Sequence, residues 1–406
     1  MPQHRVVITG LGVICSLGRN SAEFWTSLSQ GACGIFPLEL VDRSRLRFQN
    51  AAEVRGYRAE DFFTEDRIAI YDRFTQLGMI ASQEAVSSSG VDWTPELSEH
   101  TGIVTGTATG GQTTEDAAFA DLYLRNKTRF NPLSITRVMA NALASHISME
   151  YGIKGPAFTL STACSSANHA IGQAFWMVRD GLVDIAVTGG SEAPFSLGNL
   201  KAWEAMRVVS PETCRPFSKN RNGLILGEGA GILILENRDQ ALARGAVMFG
   251  EIVGFGMSSD AHHITQPSAE GAARAMKVSL ADAGLQPEAI GYVNAHGTAT
   301  PANDAMETTA IRSVFGKHAD ALAVSSTKSM HGHALGAAGA LEAIATVLAL
   351  RNGILPPTAN FTEPDPACDL DVIPNAPRRV TCEYALSNSF AFGGLNAVLA
   401  FRRAVA

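Results

Sequence analysis

Cys164 lies in Leu160-Ser161-Thr162-Ala163-Cys164-Ser165-Ser166, between a short apolar strand pattern and a run of apolar residues at helical spacing. That run is Ala167, Ala170, Ile171, Ala174, Phe175 and Val178, with Gly181 placed to stop it. A cysteine on the first turn of a helix meets the positive end of the macrodipole, which favours thiolate and suits a nucleophile. Taken alone, the segment fits an inert buried thiol better. Two histidines change that balance. His296 directly follows the strand pattern Tyr292-Val293-Asn294-Ala295, at the carboxyl end where open α/β sheets place their ligands. His333 ends the loop Lys328-Ser329-Met330-His331-Gly332-His333, which follows a strand ending at Ser325. Either histidine singly reads as structural. Together with the cysteine and a lysine they suit nucleophilic catalysis, and neutral imidazoles can also donate to a developing oxyanion.

Such a site needs a scaffold that gathers strand ends and one helix start. Strands are expected at 6–9, 102–106, 184–188, 225–236, 251–256, 290–295, 384–388 and 396–401, alternating with helices at 21–30, 73–88, 269–283, 302–315 and 335–350. This alternation is the α/β pattern. Residues 1–249 form a first half carrying the cysteine, and residues 250–406 a second half carrying the histidines. No linker separates the halves and no fixed-period repeat relates them.

The 406 residues are 46% apolar and only 17% charged, enough for a large core and for surface buried in an oligomer. A net charge of −7 argues against nucleic-acid binding. The cysteines at 15, 33, 164, 214, 368 and 382 form no CxxC pair, so neither disulfides nor a metal site is expected, and a reducing, cytoplasmic setting fits. No signal-peptide pattern opens the chain. The apolar helix at 335–350 reads as too short for a membrane span and carries Glu342.

Five stretches, in order, resemble the β-ketoacyl-[acyl carrier protein] synthases of the elongating, type II kind. They are Thr162–Ser166, Asn294-Ala295-His296-Gly297-Thr298-Ala299-Thr300-Pro301, Ser326–His333, Leu335-Gly336-Ala337-Ala338-Gly339-Ala340 and Asn388-Ser389-Phe390-Ala391-Phe392-Gly393-Gly394. Residues 202–207, 213–218 and 364–371 are similar to the nodulation-type and aryl-polyene-type members. The resemblance implies an α/β, thiolase-like fold with two similar halves in an αβαβα arrangement, dimerised through a sheet edge. It implies decarboxylative Claisen condensation, with Cys164 carrying the acyl chain and His296 and His333 donating to the enolate oxygen. The backbone N–H groups of Cys164 and the gating Phe392 would form the oxyanion hole, Gly393 and Gly394 leaving it uncluttered. Lys328 would pair with Glu342, and Thr298 and Thr300 would hold the pantetheine arm.

No cofactor is implied beyond the phosphopantetheine of acyl carrier protein. The acidic carrier would dock at Arg207, with Arg125, Lys127 and Arg129 as further candidates, while Glu65 and Asp66 replace basic residues usual in the family. The partner subunit would be a second copy or a chain-length-factor-like chain. Thr109 and Ser134, smaller and more polar than their usual counterparts, would line the acyl tunnel and suit a longer or unsaturated chain. His331 stands where threonine is usual and takes no catalytic role. Ala391 replaces a glycine, so its Cβ is expected to restrict the swing of Phe392. Three competing readings are weaker. A chain-length factor lacks the nucleophile, a thiolase needs a Cys-x-Gly that Cys382 does not supply, and a cysteine hydrolase needs neither the second histidine nor the lysine.

Overall fold

The structure, a computed structural model, describes residues 3–404. Among these, ten strands share one hydrogen-bonded sheet. They are β1 (Val6–Cys15), β2 (Thr101–Gly106), β3 (Ala157–Leu160), β4 (Ile185–Glu192), β5 (Gly229–Asn237), β6 (Gly250–Ser259), β7 (Ile290–Asn294), β8 (Ala323–Ser325), β9 (Tyr384–Ala391) and β10 (Leu395–Arg403). Their order across the sheet is β8-β7-β9-β10-β6-β1-β5-β4-β2-β3. Numbered within its own half, each set of five runs third, second, fourth, fifth, first. The halves are therefore topological duplicates. They join where Val6–Ile8 of β1 pairs antiparallel with Gly250–Ile252 of β6.

Helices fill three layers. α1 (Arg73–Ser89) covers β1 and β5 from outside, and α3 (Ala269–Ala283) covers β6 and β10, with α4 (Pro301–Phe315) against it. Between the two leaves lie α2 (Ser166–Arg179) and α5 (Ala338–Asn352), which touch each other and strands of both halves. The result is the αβαβα arrangement of the thiolase fold. The segment Leu335–Asn352 has the length and hydropathy of a membrane span, contrary to expectation from its sequence, but 89% of it is buried here. It is apolar on every side because both sheets press on it.

The sequence pattern ended the first strand at residue 9, whereas β1 runs through Gly10 and Gly12 to Cys15. Glycine there reads as a breaker but serves contact. A Cβ on Gly10 would lie 2.2 Å from the Ala85 carbonyl oxygen, and one on Gly12 1.8 Å from that of Ala81. The second half repeats this device, with Gly254 2.5 Å from the oxygen of Ser279 and Gly256 2.2 Å from that of Ala275. In each half two glycines on one strand face meet helix positions one turn apart. Gly12→Ala and Gly256→Ala should each lower stability by about 2 kcal/mol or more in denaturant unfolding. Unchanged unfolding midpoints would contradict this close helix–strand contact.

Candidate active site

Cys164 sits in a short turn, Ala163–Ser165, that leads from β3 into α2. Ala163 holds φ at +51°, the left-handed region that costs a residue with a Cβ. Cys164, His296 and His333 come together on one cleft with Thr298, Thr300 and Phe392. The two imidazoles meet edge to face, with centroids 5.5 Å apart.

Their hydrogen bonds fix their tautomers. Lys328 Nζ lies 2.8 Å from the His296 carbonyl oxygen and 3.3 Å from His296 Nδ1, and it also pairs with the Glu342 carboxylate. An ammonium only donates, so Nδ1 of His296 accepts and its proton resides on Nε2. His333 Nδ1 accepts the N–H of Leu335 at 3.2 Å, which again leaves the proton on Nε2. Burial first, and Lys328 second, hold both histidines well below their ordinary pKa. Both are neutral donors. The backbone of His333 is pinned by bonds to Ile225 O at 2.7 Å and from Gly227 N at 2.9 Å.

Two acids that the motif reading passed over position this group. Glu307 on α4 accepts the N–H groups of His296 and Gly297, each at 2.8 Å. Asp304, one turn earlier, accepts those of Phe217 at 2.8 Å and Ala299 at 3.2 Å. Burial raises both carboxyls, Asp304 to about 6. A signal was present, since Asp304 and Glu307 share the helix face that also buries Ala310 and Ile311. Acids on a buried face require partners.

Phe392 stacks on Trp203 of the helix Leu197–Met206, with centroids 6.1 Å apart and planes at 24°. Gly393 N–H donates to Ile264 O at 2.8 Å. Gly394, at φ +70°, would place a Cβ 2.5 Å from that of Asp260, so glycine is required there. Ala391 closes β9 opposite Leu395 and lies outside the left-handed region, so its methyl group strains nothing.

Several of the expected residues have further partners. Burial pushes the Cys164 thiol up to about 12, while Lys328 and the backbone N–H groups of Phe392 and Cys164 pull it down without compensating. Thr109 and Ser134 do not reach the cleft. The Thr109 hydroxyl donates to Glu192, which also takes the Ala108 N–H, and Ser134 borders a separate cavity with Arg129 and Lys127. Arg125 and Lys127 are both paired with Asp121, one carboxylate shared between two cations, so the loop keeps a net positive charge. Arg207 is exposed at the end of the helix that carries Trp203. Thr298 and Thr300 share a hydrogen bond at 2.9 Å, and Thr300 also caps α4 by accepting the Asn303 N–H. His331 is fully buried against Thr327, 3.0 Å away, and burial lowers it to about 3.

Residues 3–241 match the N-terminal domain model of β-ketoacyl synthases, and residues 249–362 the C-terminal one. The chain belongs to the β-ketoacyl synthase family. It is 46% identical over 399 residues to nodulation protein E of Rhizobium leguminosarum bv. trifolii, covering 98% of this chain and 99% of that protein. It is 40% identical over 411 residues to 3-oxoacyl-[acyl-carrier-protein] synthase 2 of Synechocystis, covering 99% of each. Among solved structures, the ishigamide ketosynthase/chain length factor superposes with a TM-score of 0.95 at 35% identity, over 99% of this chain and 100% of that one.

Glu307→Ala frees the amides of His296 and Gly297 and should slow malonyl thioester decarboxylation about tenfold or more. Alkylation of Cys164 by iodoacetamide should stay near the wild-type rate. Equal losses in both assays would show that Glu307 supports the fold at large rather than the histidine.

Proposed function

We propose that this protein catalyses decarboxylative condensation of an acyl group, carried on Cys164, with malonyl-acyl carrier protein. The products are 3-oxoacyl-acyl carrier protein and CO₂. The observation that carries this reading is the pair of neutral imidazoles, both donating from Nε2 into the cleft that Cys164 shares.

In the first step the Cys164 sulfur attacks the thioester carbonyl of an acyl carrier protein. The oxyanion forms against the N–H groups of Cys164 and Phe392, the two that already act on the sulfur. Collapse breaks the bond to the pantetheine sulfur. Attack is by the thiolate form of Cys164, whose proton passes to water, and the pantetheine thiolate released on collapse takes one up in return. The malonyl thioester then enters. Breaking its bond to CO₂ moves an electron pair into the thioester, and Nε2–H of His296 and of His333 hold the enolate oxygen. The enolate carbon attacks the Cys164 thioester, and the cysteine leaves and regains a proton. Thr298 and Thr300 hold the arm, since their mutual hydrogen bond leaves one hydroxyl proton for it.

Lys328 acts at one remove. Its three protons go to His296 twice and to Glu342, so none remains for substrate. Arg207, exposed beside the cleft wall, is the best-placed docking residue for the acidic carrier, with Arg129 second. A partner subunit, either a second copy or a chain-length-factor-like chain, would cover Tyr123, Leu124, Leu133 and Ile135 near the free edge of β3. The reaction would run in the cytoplasm on carrier-bound substrates, with no separate cofactor. The non-catalytic subunit reading fails on the complete site.

Two experiments test this. Intact mass after incubation with acyl carrier protein thioesters should show an acyl adduct on the wild type and none on Cys164→Ala. His296→Ala and His333→Ala should still acylate, but decarboxylate malonyl thioester roughly 10²–10³-fold more slowly. Loss of acylation with decarboxylation intact would invert the assignment. The second is a pH profile. The working imidazoles are neutral and their pKa is lowered, so decarboxylation should hold its rate from pH 8 down through 6.5 and fall only at lower pH. A midpoint near 6.5 would place ordinary, solvated histidines in the site.

A further inference from the structure

His169 lies one turn into α2, is 9% exposed, and takes no part in the chemistry above. Its Nδ1 is 3.1 Å from the carbonyl oxygen of Ser165 and 3.0 Å from the hydroxyl of Thr162. A carbonyl only accepts, so Nδ1 carries the proton and shares it between the two oxygens. The bridge spans the nucleophile. Thr162 precedes the strained Ala163, and Ser165 follows Cys164. Two serines close the same loop. Ser165 Oγ donates to Thr162 O at 2.9 Å, while Ser166 Oγ accepts from Thr162 N at 2.9 Å and donates to Ala163 O at 2.7 Å. Ser166 Oγ also lies 3.3 Å from the carbonyl oxygen of Thr107, which anchors the turn to the end of β2. The histidine ties Thr162 to the helix one turn further on, and its ring rests edge-on against Phe255, centroids 6.1 Å apart.

We propose that His169 is a positioning residue for the nucleophile and for the oxyanion hole, holding Ala163 in its left-handed conformation so that the Cys164 sulfur and N–H keep their aim. A residue in that region costs about 1–3 kcal/mol and persists only where its surroundings fix it. Without the bridge, Ala163 relaxes and both donor and nucleophile turn together. The neutral imidazole suits the role, because burial lowers its pKa and keeps one fixed proton on Nδ1. The histidine pair is untouched, since His296 and His333 are held by α4 and by the Ile225–Gly227 strand segment instead.

The inference rests on the reading of Cys164 as the acyl carrier. The experiment compares wild type, His169→Ala, His169→Asn and His169→Gln in two assays, acylation of Cys164 by acyl carrier protein thioester and decarboxylation of malonyl thioester. Asparagine places its amide N–H where Nδ1 stands, whereas glutamine places it near Nε2. Alanine and glutamine should slow acylation at least about tenfold, asparagine should return it to within about threefold, and decarboxylation should change less than about twofold in all three. Acylation at the wild-type rate in His169→Ala overturns the proposal, as does asparagine behaving like glutamine. So does decarboxylation falling in step with acylation. If His169→Ala does not fold, the asparagine–glutamine comparison decides alone. A wild type that takes no acyl group at all sinks the nucleophile assignment, not the role of His169.

Discussion

A single buried ion pair sets the terms for the site. Lys328 and Glu342 are both fully enclosed, and neither charge meets solvent. Burial pushes the Glu342 carboxyl up, and the ammonium of Lys328 holds it down. Removing one member of such a pair typically costs about 3–5 kcal/mol, because the other is left charged and alone. The protein turns this constraint outward. The remaining protons of the ammonium go to the carbonyl and Nδ1 of His296, so the same charge that must be compensated also dictates where the imidazole keeps its proton. It depresses His333 as well. One buried charge thus makes two donors.

The duplicated topology explains why these groups meet. Cys164 follows the third strand of the first half, and the Lys328–His333 loop follows the third strand of the second. These are equivalent places, each leading into the middle-layer helix of its half. One has become the nucleophile's turn and the other the anchor for a histidine. His296 and the Thr107–Thr109 loop are related in the same way after the second strands, and Phe392 and Glu192 after the fourth. Where the second half presents a gate, the first presents a carboxylate that draws in the N–H groups of Ala108 and Gly336. A symmetric frame has been filled with unlike residues, and the reaction runs along the join.

The layered α/β frame and the central cysteine–histidine group were legible because motif residues stand next to strand ends, which periodicity locates well. Helix 269–283 was read to the residue, since Ser268 caps it and Gly284 ends it. Glycine misled at β1, where it marks contact with a helix rather than a turn. The helix start at Cys164 is visible in sequence, whereas the burial that opposes ionisation of its thiol is not. The partner of Thr109 was hidden for a related reason. Nothing local to it reveals that Glu192, far along the chain, would claim its hydroxyl. Asp304 and Glu307 lay in plain view on a buried helix face, but their partners are backbone amides, which carry no sequence signature.

The two central helices are shared property, and this bears on how the chain comes into being. Ala167, Ile171 and Phe175 of α2 belong to one core with Leu341, Ile344 and Leu348 of α5. α2 covers part of the inner wall of the first leaf, but its own far side and the rest of that wall have no partner until residues beyond 338 exist. During synthesis the first half must wait while roughly 100 further residues are made, roughly 5–20 s at 5–20 residues per second. Throughout that interval it shows the ribosome's surroundings an unfinished apolar face. The halves share one strand order, but the end of the first is no place for the nascent chain to stop and fold.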